Sequence, residues 1–144
     1  MSHRMGLAAL CAATLALAAC GGGASAPTPH TATATVSEFK ITLDSAKLAP
    51  GSDSFSIKNA GAITHEFVIV RTDLAADALP IGADGGVDEK EAATTHVDET
   101  EGITAGGTGS LTVSLPVGQY VVFCNLPGHY KGGMHAGFAV TSGA

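Results

Sequence analysis

The stretch Cys124-Asn-Leu-Pro-Gly-His129-Tyr-Lys-Gly-Gly-Met134 places a thiol, an imidazole and a thioether within eleven residues. Apolar segments with the composition of β-strands flank it, at 120–123 on one side and 137–140 on the other. The stretch, whose spacing is C-x4-H-x4-M, is therefore predicted to be the loop that joins the last two strands of a domain. We expect the chemistry of the protein to lie in this loop.

The rest of the chain from Thr35 onward alternates apolar and polar residues more often with a period of two than with a helical period. The alternating apolar positions are Val36, Phe39, Ile41, Phe55, Ile57, Phe67, Ile69, Leu111, Val113 and Leu115. Turn residues separate the segments at 49–51, 59–61, 106–107 and 116–118. Short alternating strands joined by Gly- and Pro-containing turns predict an all-β, two-sheet sandwich over residues 35–144.

Residues 71–105 interrupt this pattern with a strongly acidic segment. The segment holds nine of the thirteen acidic residues but only two basic ones, Arg71 and Lys90, so its net charge is −7. Burying unpaired charge is costly, so we expect an acidic loop insertion on the surface, with a short helical turn near 88–93. Two roles stay open for this segment: a solubilising loop, or a docking surface for a basic redox partner.

The N-terminus has the features of an export signal. An apolar run of about 15 residues, 5–19, is too short to span a bilayer and ends in Leu17-Ala18-Ala19-Cys20. This ending resembles the lipobox of bacterial lipoproteins, which implies a signal peptide at 1–19 and a lipid anchor on Cys20. The alternative is an ordinary signal peptide with an incidental cysteine. Either interpretation places the domain outside the cytoplasm, on the periplasmic face or the outer cell surface.

Small residues and prolines without charge follow Cys20, so we expect a flexible tether at 20–34 and a solvated His30 within it. The remaining residues suffice for one domain, which we expect to be a monomer. The net charge of −6 and the lack of a basic cluster argue against binding to nucleic acid. Cys124 lies far from the other two cysteines, Cys11 and Cys20, and a lone thiol in an exported protein suggests a metal ligand or a nucleophile.

The thiolate and thioether of the 124–134 loop favour copper, and a plane of two histidines and one cysteine with a weak methionine is typical of electron-transfer copper sites. His65, at the start of the apolar segment 65–70, can supply the second imidazole. His135 is an alternative to Met134, although neighbouring residues of a strand point to opposite faces. His96 is expected to be solvated or to make an accessory metal contact.

Two motifs, N-A-G-x3-H at 59–65 and G-x-Y-x3-C-x2-P-G-H-x4-M at 118–134, resemble the cupredoxin family of type 1 blue copper proteins, such as plastocyanin, azurin and rusticyanin. The resemblance implies a Greek-key β-sandwich with one copper ion. It also implies equatorial ligands His65, Cys124 and His129 with Met134 axial. Electrons would leave through His129, at an apolar patch formed by Leu126, Pro127 and Tyr130. Glu66 stands where better-known members often have an asparagine that pins the ligand loop, which puts the bonding around the ligands in doubt.

Three function classes follow from these residues. The favoured one is a lipid-anchored carrier of single electrons, with a cytochrome or a copper or haem oxidoreductase as partner. The alternative is copper storage or delivery, which would prefer an exposed site rich in Met and His. An enzyme is not expected: a Cys124/His129 hydrolase lacks an orienting third group, and a copper oxidase needs further histidine clusters.

Overall fold

The computed structural model describes residues 30–91 and 93–143, which form nine strands in two sheets. The four-stranded sheet has the order β2-β1-β4-β7 and the five-stranded sheet the order β3-β9-β8-β5-β6. The strands are β1 (His30–Ser37), β2 (Lys40–Leu43), β3 (Lys47–Leu48), β4 (Gly51–Asn59), β5 (His65–Arg71), β6 (Thr95–Ile103), β7 (Thr108–Leu115), β8 (Gly118–Phe123) and β9 (His135–Val140). The predicted all-β, two-sheet sandwich is confirmed.

The core lies between the sheets and is built from the inward positions of the alternating strands. In β4 and β7 the buried residues occur at every second position, as in Phe55 and Ile57. The Phe55 ring packs between the sheets, with centroid distances of 5.7 Å to Phe67 and 5.8 Å to Phe138. Alternation places one face of each strand in the core, and the aromatic rings fill the space between the two layers.

Strand β1 begins at His30, five residues before the predicted start of the domain, so the prediction of a tether was wrong for residues 30–34. Residues His30 to Val36 pair in parallel with Asp53 to Asn59 of β4. The side chains of Ala32 and Ala34 are buried, while the threonines that alternate with them face solvent. Alternating alanine and threonine carry too little hydrophobicity to be told from a linker, and pairing with β4 decides their conformation. The predicted signal peptide 1–19, the lipid anchor Cys20 and the rest of the tether lie outside the described residues.

The acidic segment contains a strand, contrary to the prediction of a surface loop throughout. Strand β6 pairs with β5 at the edge of the five-stranded sheet, and the side chains of Glu99 and Glu101 are exposed. Acidic residues fit in β6 because it is an edge strand whose charged side chains face solvent. Such charges also disfavour pairing of the edge with another chain. The described residues of 88–93 form turns and not the expected helical turn. None of the residues with a described conformation form a helix long and apolar enough to cross a bilayer.

Three strand ends converge at one end of the sandwich. The antiparallel pairing of β5 with β8 and of β8 with β9 puts the start of β5, the end of β8 and the start of β9 at the same edge. His65 is the first residue of β5, and Cys124 directly follows β8. The topology therefore brings residues that are 59 positions apart in the sequence to one end of the domain.

Candidate metal centre

The loop between β8 and β9 is closed by its own backbone. The Cys124 amide donates to the Met134 carbonyl over 3.1 Å, and the Met134 amide donates to the His129 carbonyl over 3.0 Å. A turn within the loop is closed by the His129 amide, which donates to the Leu126 carbonyl over 3.0 Å. These bonds hold the three candidate ligands of the loop in a fixed arrangement.

Three glycines make the path of this loop possible, in two different ways. Gly128 and Gly133 have φ angles of 80° and 105°, in the left-handed region that disfavours other residues. Gly132 has a different role, because a Cβ there would lie 2.1 Å from Cδ1 of Phe39. Gly132 therefore makes room for Phe39 above the loop. Phe39 lies in the β1–β2 turn with φ of 60°, and not in a strand as its alternation suggested.

Three of the four predicted copper ligands come together at the end of the sandwich. Ligand atoms of His65, Cys124 and His129 all lie within 4.8 Å of one another. The Cys124 sulfur is 3.2 Å from Nδ1 of His129, and the two imidazole centroids are 5.2 Å apart. Met134, the fourth, is fully buried in the same core cluster as Cys124. The loop and strand β5 thus meet as the resemblance implied.

The chemistry of these residues fits a type 1 copper ion. Both ring nitrogens of His65 are buried and lack a hydrogen-bond partner within the described part of the chain, which a metal ligand would explain. Burial, reinforced by the neighbouring His129, lowers the pKa of His65 and so favours the neutral imidazole that a metal ligand requires. Burial raises the pKa of the Cys124 thiol, so metal binding must displace its proton. The set of two imidazoles, one thiolate and one thioether is the one that electron-transfer copper sites use.

The doubt attached to Glu66 has a structural answer. The Glu66 backbone amide, not its side chain, donates to the Cys124 sulfur over 3.3 Å. A backbone donor is available to any residue except proline, so this bond to the sulfur does not require asparagine. The Glu66 carboxyl is half-buried, and burial, followed by the nearby Glu101 and Glu99, raises its pKa.

Asn125 pins the ligand loop to the acidic segment. Its side chain accepts a bond from the Val87 amide over 2.6 Å and donates to the Val87 carbonyl over 3.2 Å. It also donates to the Glu89 carboxylate over 2.9 Å. Sequence reasoning missed this residue, because an asparagine next to a candidate ligand carries no distinctive signal.

Asn59 holds the turn that leads into His65. Its side-chain amide donates to the carbonyls of Ile63 and Ile103 over 2.7 and 2.8 Å, and its oxygen accepts from the Gly61 amide over 2.8 Å. All three bonds are made by one fully buried side chain. The sequence identified Asn59 only as a turn residue, and this fixed turn sets where His65 enters the site.

Glu38 was not identified from the sequence at all. Its Oε1 accepts the amides of Ala62 and Ile63 over 2.6 and 3.2 Å and lies 4.0 Å from Nε2 of His65. Hydrogen bonds from its own backbone amide and from Ala62 hold the pKa of Glu38 below its usual value. Because Glu38 belongs to the β1–β2 turn, only the folded arrangement brings it to this turn.

The surface over the site differs from the predicted apolar patch. Pro127 is exposed and Leu126 half-buried, but Tyr130 is 5% exposed and packs against Phe123 with ring centroids 5.9 Å apart. The Tyr130 hydroxyl accepts the Leu79 amide and donates to the Ala76 carbonyl, both over 2.8 Å, so its polar end faces inward. Phe39, 52% exposed, packs nearly perpendicular to the half-buried His129 ring, with centroids 5.7 Å apart, and takes the position expected for Tyr130.

Three further histidines with a described position, His30, His96 and His135, are not part of this cluster. His135 packs against Tyr130 with ring centroids 5.0 Å apart. His96 lies on β6, with Nδ1 2.6 Å from a Glu89 oxygen, and forms a separate, largely exposed group with Glu89 and Glu99. His30 starts β1, with Nδ1 3.7 Å from an oxygen of Asp53.

Comparison with known proteins places this site in a family. Residues 37–144 match the sulfocyanin (SoxE) domain family. No curated protein sequence matches the chain. The match covers both motifs at 59–65 and 118–134, the whole ligand set and strands β2 to β9, but only Ser37 of β1.

Solved structures share the fold. Auracyanin from Roseiflexus castenholzii is 23% identical with a TM-score of 0.53, over 81% of this chain and 98% of that one. Auracyanin A of Chloroflexus aurantiacus, a "blue" copper protein, is 20% identical with a TM-score of 0.56, over 79% and 100%. Rusticyanin from Thiobacillus ferrooxidans is 18% identical with a TM-score of 0.54, over 78% and 77%. At these identities the likeness establishes a shared sandwich architecture.

Proposed function

Because this chain belongs to the sulfocyanin (SoxE) domain family, we propose that it carries single electrons through one copper ion held by His65, Cys124 and His129, with Met134 as the axial ligand. The observation that carries the proposal is the buried cluster in which the ligand atoms of the first three residues lie within 4.8 Å of one another. Bound copper would supply a one-electron couple, and a rusticyanin-like and auracyanin-like fold is consistent with that use.

The protein contributes a rigid cage. Backbone bonds close the loop around Cys124, and Asn59 and Asn125 fix the two segments that meet there. A cage that is assembled by buried bonds changes little when the charge of its contents changes, which favours rapid electron exchange. The half-buried His129 ring, with Phe39 beside it, provides the short path between the buried cluster and solvent.

Burial also separates this proposal from copper storage or delivery. His65, Cys124 and Met134 are each fully buried, whereas handing over a metal requires ligands that a partner can reach. The exposed His96 group is the one described site with such access, and it contains neither thiolate nor thioether. Electron carriage therefore fits these buried ligands better than metal transfer does.

The location and partner form part of the proposal. The Leu17-Ala18-Ala19-Cys20 sequence supports a lipid anchor on Cys20 that would hold the domain on the extracytoplasmic face of a membrane. The acidic side chains of β6 support a basic docking site on a redox partner such as a cytochrome or a copper or haem oxidoreductase. Mass spectrometry of the mature protein tests the anchor, since acylation of Cys20 and loss of residues 1–19 are both read from one mass.

Electron carriage is tested by loading the protein with copper. We expect an intense blue or green colour from thiolate-to-copper charge transfer, and rapid anaerobic oxidation of the reduced protein when it is mixed with a cytochrome in a stopped-flow instrument. A colourless complex that exchanges no electrons would refute carriage. Transfer of the metal itself to a chelating partner, faster than any electron exchange, would favour delivery instead.

A further inference from the structure

Glu38 reaches the candidate copper site from a different sheet. It lies in the turn between β1 and β2, while His65 begins β5 of the five-stranded sheet. Its Oε1 atom accepts two backbone amides of the 60–64 turn, Ala62 and Ile63, and is 4.0 Å from Nε2 of His65. One carboxylate oxygen thus faces both the backbone that precedes the ligand and the ligand ring itself.

The close approach of Glu38 depends on a glycine. A Cβ at Gly61 would lie 2.7 Å from Oε1 and 2.8 Å from Oε2 of Glu38, distances that real contacts essentially never show. Gly61 has no φ in the left-handed region, so the backbone conformation does not demand glycine there. The space occupied by the Glu38 carboxylate is what the missing side chain provides.

Within the described part of the chain, no other polar group is recorded as pairing with the His65 ring. Its ring is fully buried and neither Nδ1 nor Nε2 has a hydrogen-bond partner among the residues that the structure describes. A histidine that binds a metal through one nitrogen keeps a proton on the other, and that N–H normally donates to a carboxylate, a carbonyl or water. The Nε2 atom faces Glu38, which leaves Nδ1 for the metal.

We propose that Glu38 is a positioning residue of the copper site, which orients His65 by accepting its Nε2 proton and favours the oxidised form of the site through its negative charge. This inference rests on the proposed function, since it concerns the same four ligands. The 4.0 Å separation exceeds a direct hydrogen bond. We expect it to shorten when His65 binds the metal, because ligation fixes the tautomer whose proton faces Glu38.

The charge of Glu38 determines the direction in which the reduction potential should change when Glu38 is replaced. A carboxylate beside a ligand stabilises the site more when the site carries the larger positive charge, so removing the carboxylate favours the reduced form. A structural role confined to the 60–64 turn would leave the reduction potential unchanged when an uncharged acceptor replaces the carboxylate.

The first experiment compares Glu38→Gln with the wild type by voltammetry of the copper-loaded full chain. Glutamine keeps an oxygen that accepts the amides of Ala62 and Ile63 but lacks the charge. We expect the ratio of Cu(II) to Cu(I) affinity to fall on the order of tenfold, which raises the potential by about 59 mV for one electron. The charge-transfer band should remain, because all four ligands are intact.

Asp73→Asn is the matched control for a lost negative charge. Asp73 is exposed and follows the far end of β5, so it lies roughly 20 Å or more from His65 at about 3.3 Å per strand residue. Ions in ordinary buffer screen a charge at that distance almost completely. We expect the potential of this variant to equal that of the wild type, and an equal shift in both variants would overturn the proposal.

Gly61→Ala gives a second test that leaves the charge in the protein. The added methyl must displace the flexible Glu38 carboxylate from the turn, so this variant should also raise the potential, by less than Glu38→Gln. The double variant should have nearly the potential of Glu38→Gln alone, because alanine then displaces an uncharged amide and no negative charge moves. Additive shifts would show that Gly61 acts independently of Glu38 and would refute the proposed contact.

The two proposals fail separately. A wild-type protein that forms no coloured copper complex would overturn the proposed function. A coloured wild type whose potential is unchanged in both Glu38→Gln and Gly61→Ala would overturn only the role of Glu38. Thermal unfolding of the metal-free variants shows whether each is folded; if Glu38→Gln does not fold, Gly61→Ala alone decides the question.

Discussion

The sulfur of Cys124 lies 3.2 Å from Nδ1 of His129 inside a loop that its own backbone closes. The Glu66 amide approaches the same sulfur from β5, at 3.3 Å, so the sulfur is fixed from two directions. The position of the thiol is therefore set by the protein fold. A metal that enters the site needs to displace a proton but does not need to assemble the loop.

Replacement of Cys124 by serine tests the central ligand. The hydroxyl is a hard, weakly acidic group, so we expect Cys124→Ser to lose the charge-transfer band completely and to bind copper much more weakly. The fold should survive, because the backbone bonds of the loop do not involve the sulfur. Visible absorption and circular dichroism of the copper-loaded variant check both outcomes. A variant that kept the colour of the wild type would rule out Cys124 as the ligand.

Replacement of Met134 by leucine tests the axial ligand. Met134 is fully buried, and leucine of similar volume should cost less than about 1.5 kcal/mol of unfolding free energy. We expect Met134→Leu to keep copper and colour but to raise the potential, because the thioether donates electron density that favours the oxidised metal. Voltammetry measures the shift. If this variant loses copper as completely as Cys124→Ser, an axial role for Met134 is wrong.

Replacement of Tyr130 by phenylalanine tests the inward hydroxyl. The loss leaves the buried Leu79 amide and the Ala76 carbonyl without their partner, which should cost about 1–3 kcal/mol of unfolding free energy. Denaturant unfolding measures this cost, and hydrogen exchange of the Leu79 amide should become faster. The potential should change little, because no copper ligand is altered.

Tyr120→Phe is the control for this prediction. The Tyr120 hydroxyl donates to the Pro116 carbonyl over 2.6 Å, near the start of β8 and away from the ligand loop. Removing it should leave exchange at Leu79 unchanged. If Leu79 exchanged equally fast in both variants, the effect would be a general loss of stability and the bridge through Tyr130 would be unimportant.

The sequence was sufficient to predict the ligand loop because its residues are close together and chemically unusual. A thiol, an imidazole and a thioether at fixed spacing indicate a metal site without knowledge of the fold. The sandwich was predictable for a similar reason, since alternation at positions such as Phe55 and Ile57 directly reflects burial on one face. Both signals are local in the chain.

The features that the sequence did not reveal depend on contacts between distant segments. Glu38 reaches His65 only after β1 and β5 are placed in their sheets, and Asn125 meets Val87 only after the acidic segment folds back. Tyr130 was expected on the surface because an aromatic residue in a loop gives no indication of where its hydroxyl finds a partner. Strand β1 was partly mistaken for a tether because Ala32 and Ala34 are weakly hydrophobic.

Asp53 is a buried carboxylic acid whose presence should make the domain less stable at neutral pH. It lies on β4, is fully buried, and neither of its oxygens has a hydrogen-bond partner among residues 30–91 and 93–143. Burial raises its pKa above the ordinary value of 3.8, and the nearby His30 opposes this only in part. The folded state therefore holds the Asp53 proton more tightly than the unfolded state does.

The sign of the pH dependence follows from that difference in proton binding. As the pH rises above the ordinary pKa of 3.8, the unfolded state releases the Asp53 proton first, so the free energy of unfolding falls until the folded-state pKa is passed. Asp53→Asn removes this loss and should stabilise the domain at pH 7 on the order of 1 kcal/mol, with no gain at a pH below 3.8. Denaturant unfolding of the metal-free protein across this range measures both values. Asp44 is exposed, so Asp44→Asn should change the free energy of unfolding equally at both pH values. If Asp53→Asn were less stable than the wild type at pH 7, the Asp53 carboxylate would instead make a favourable pair with His30.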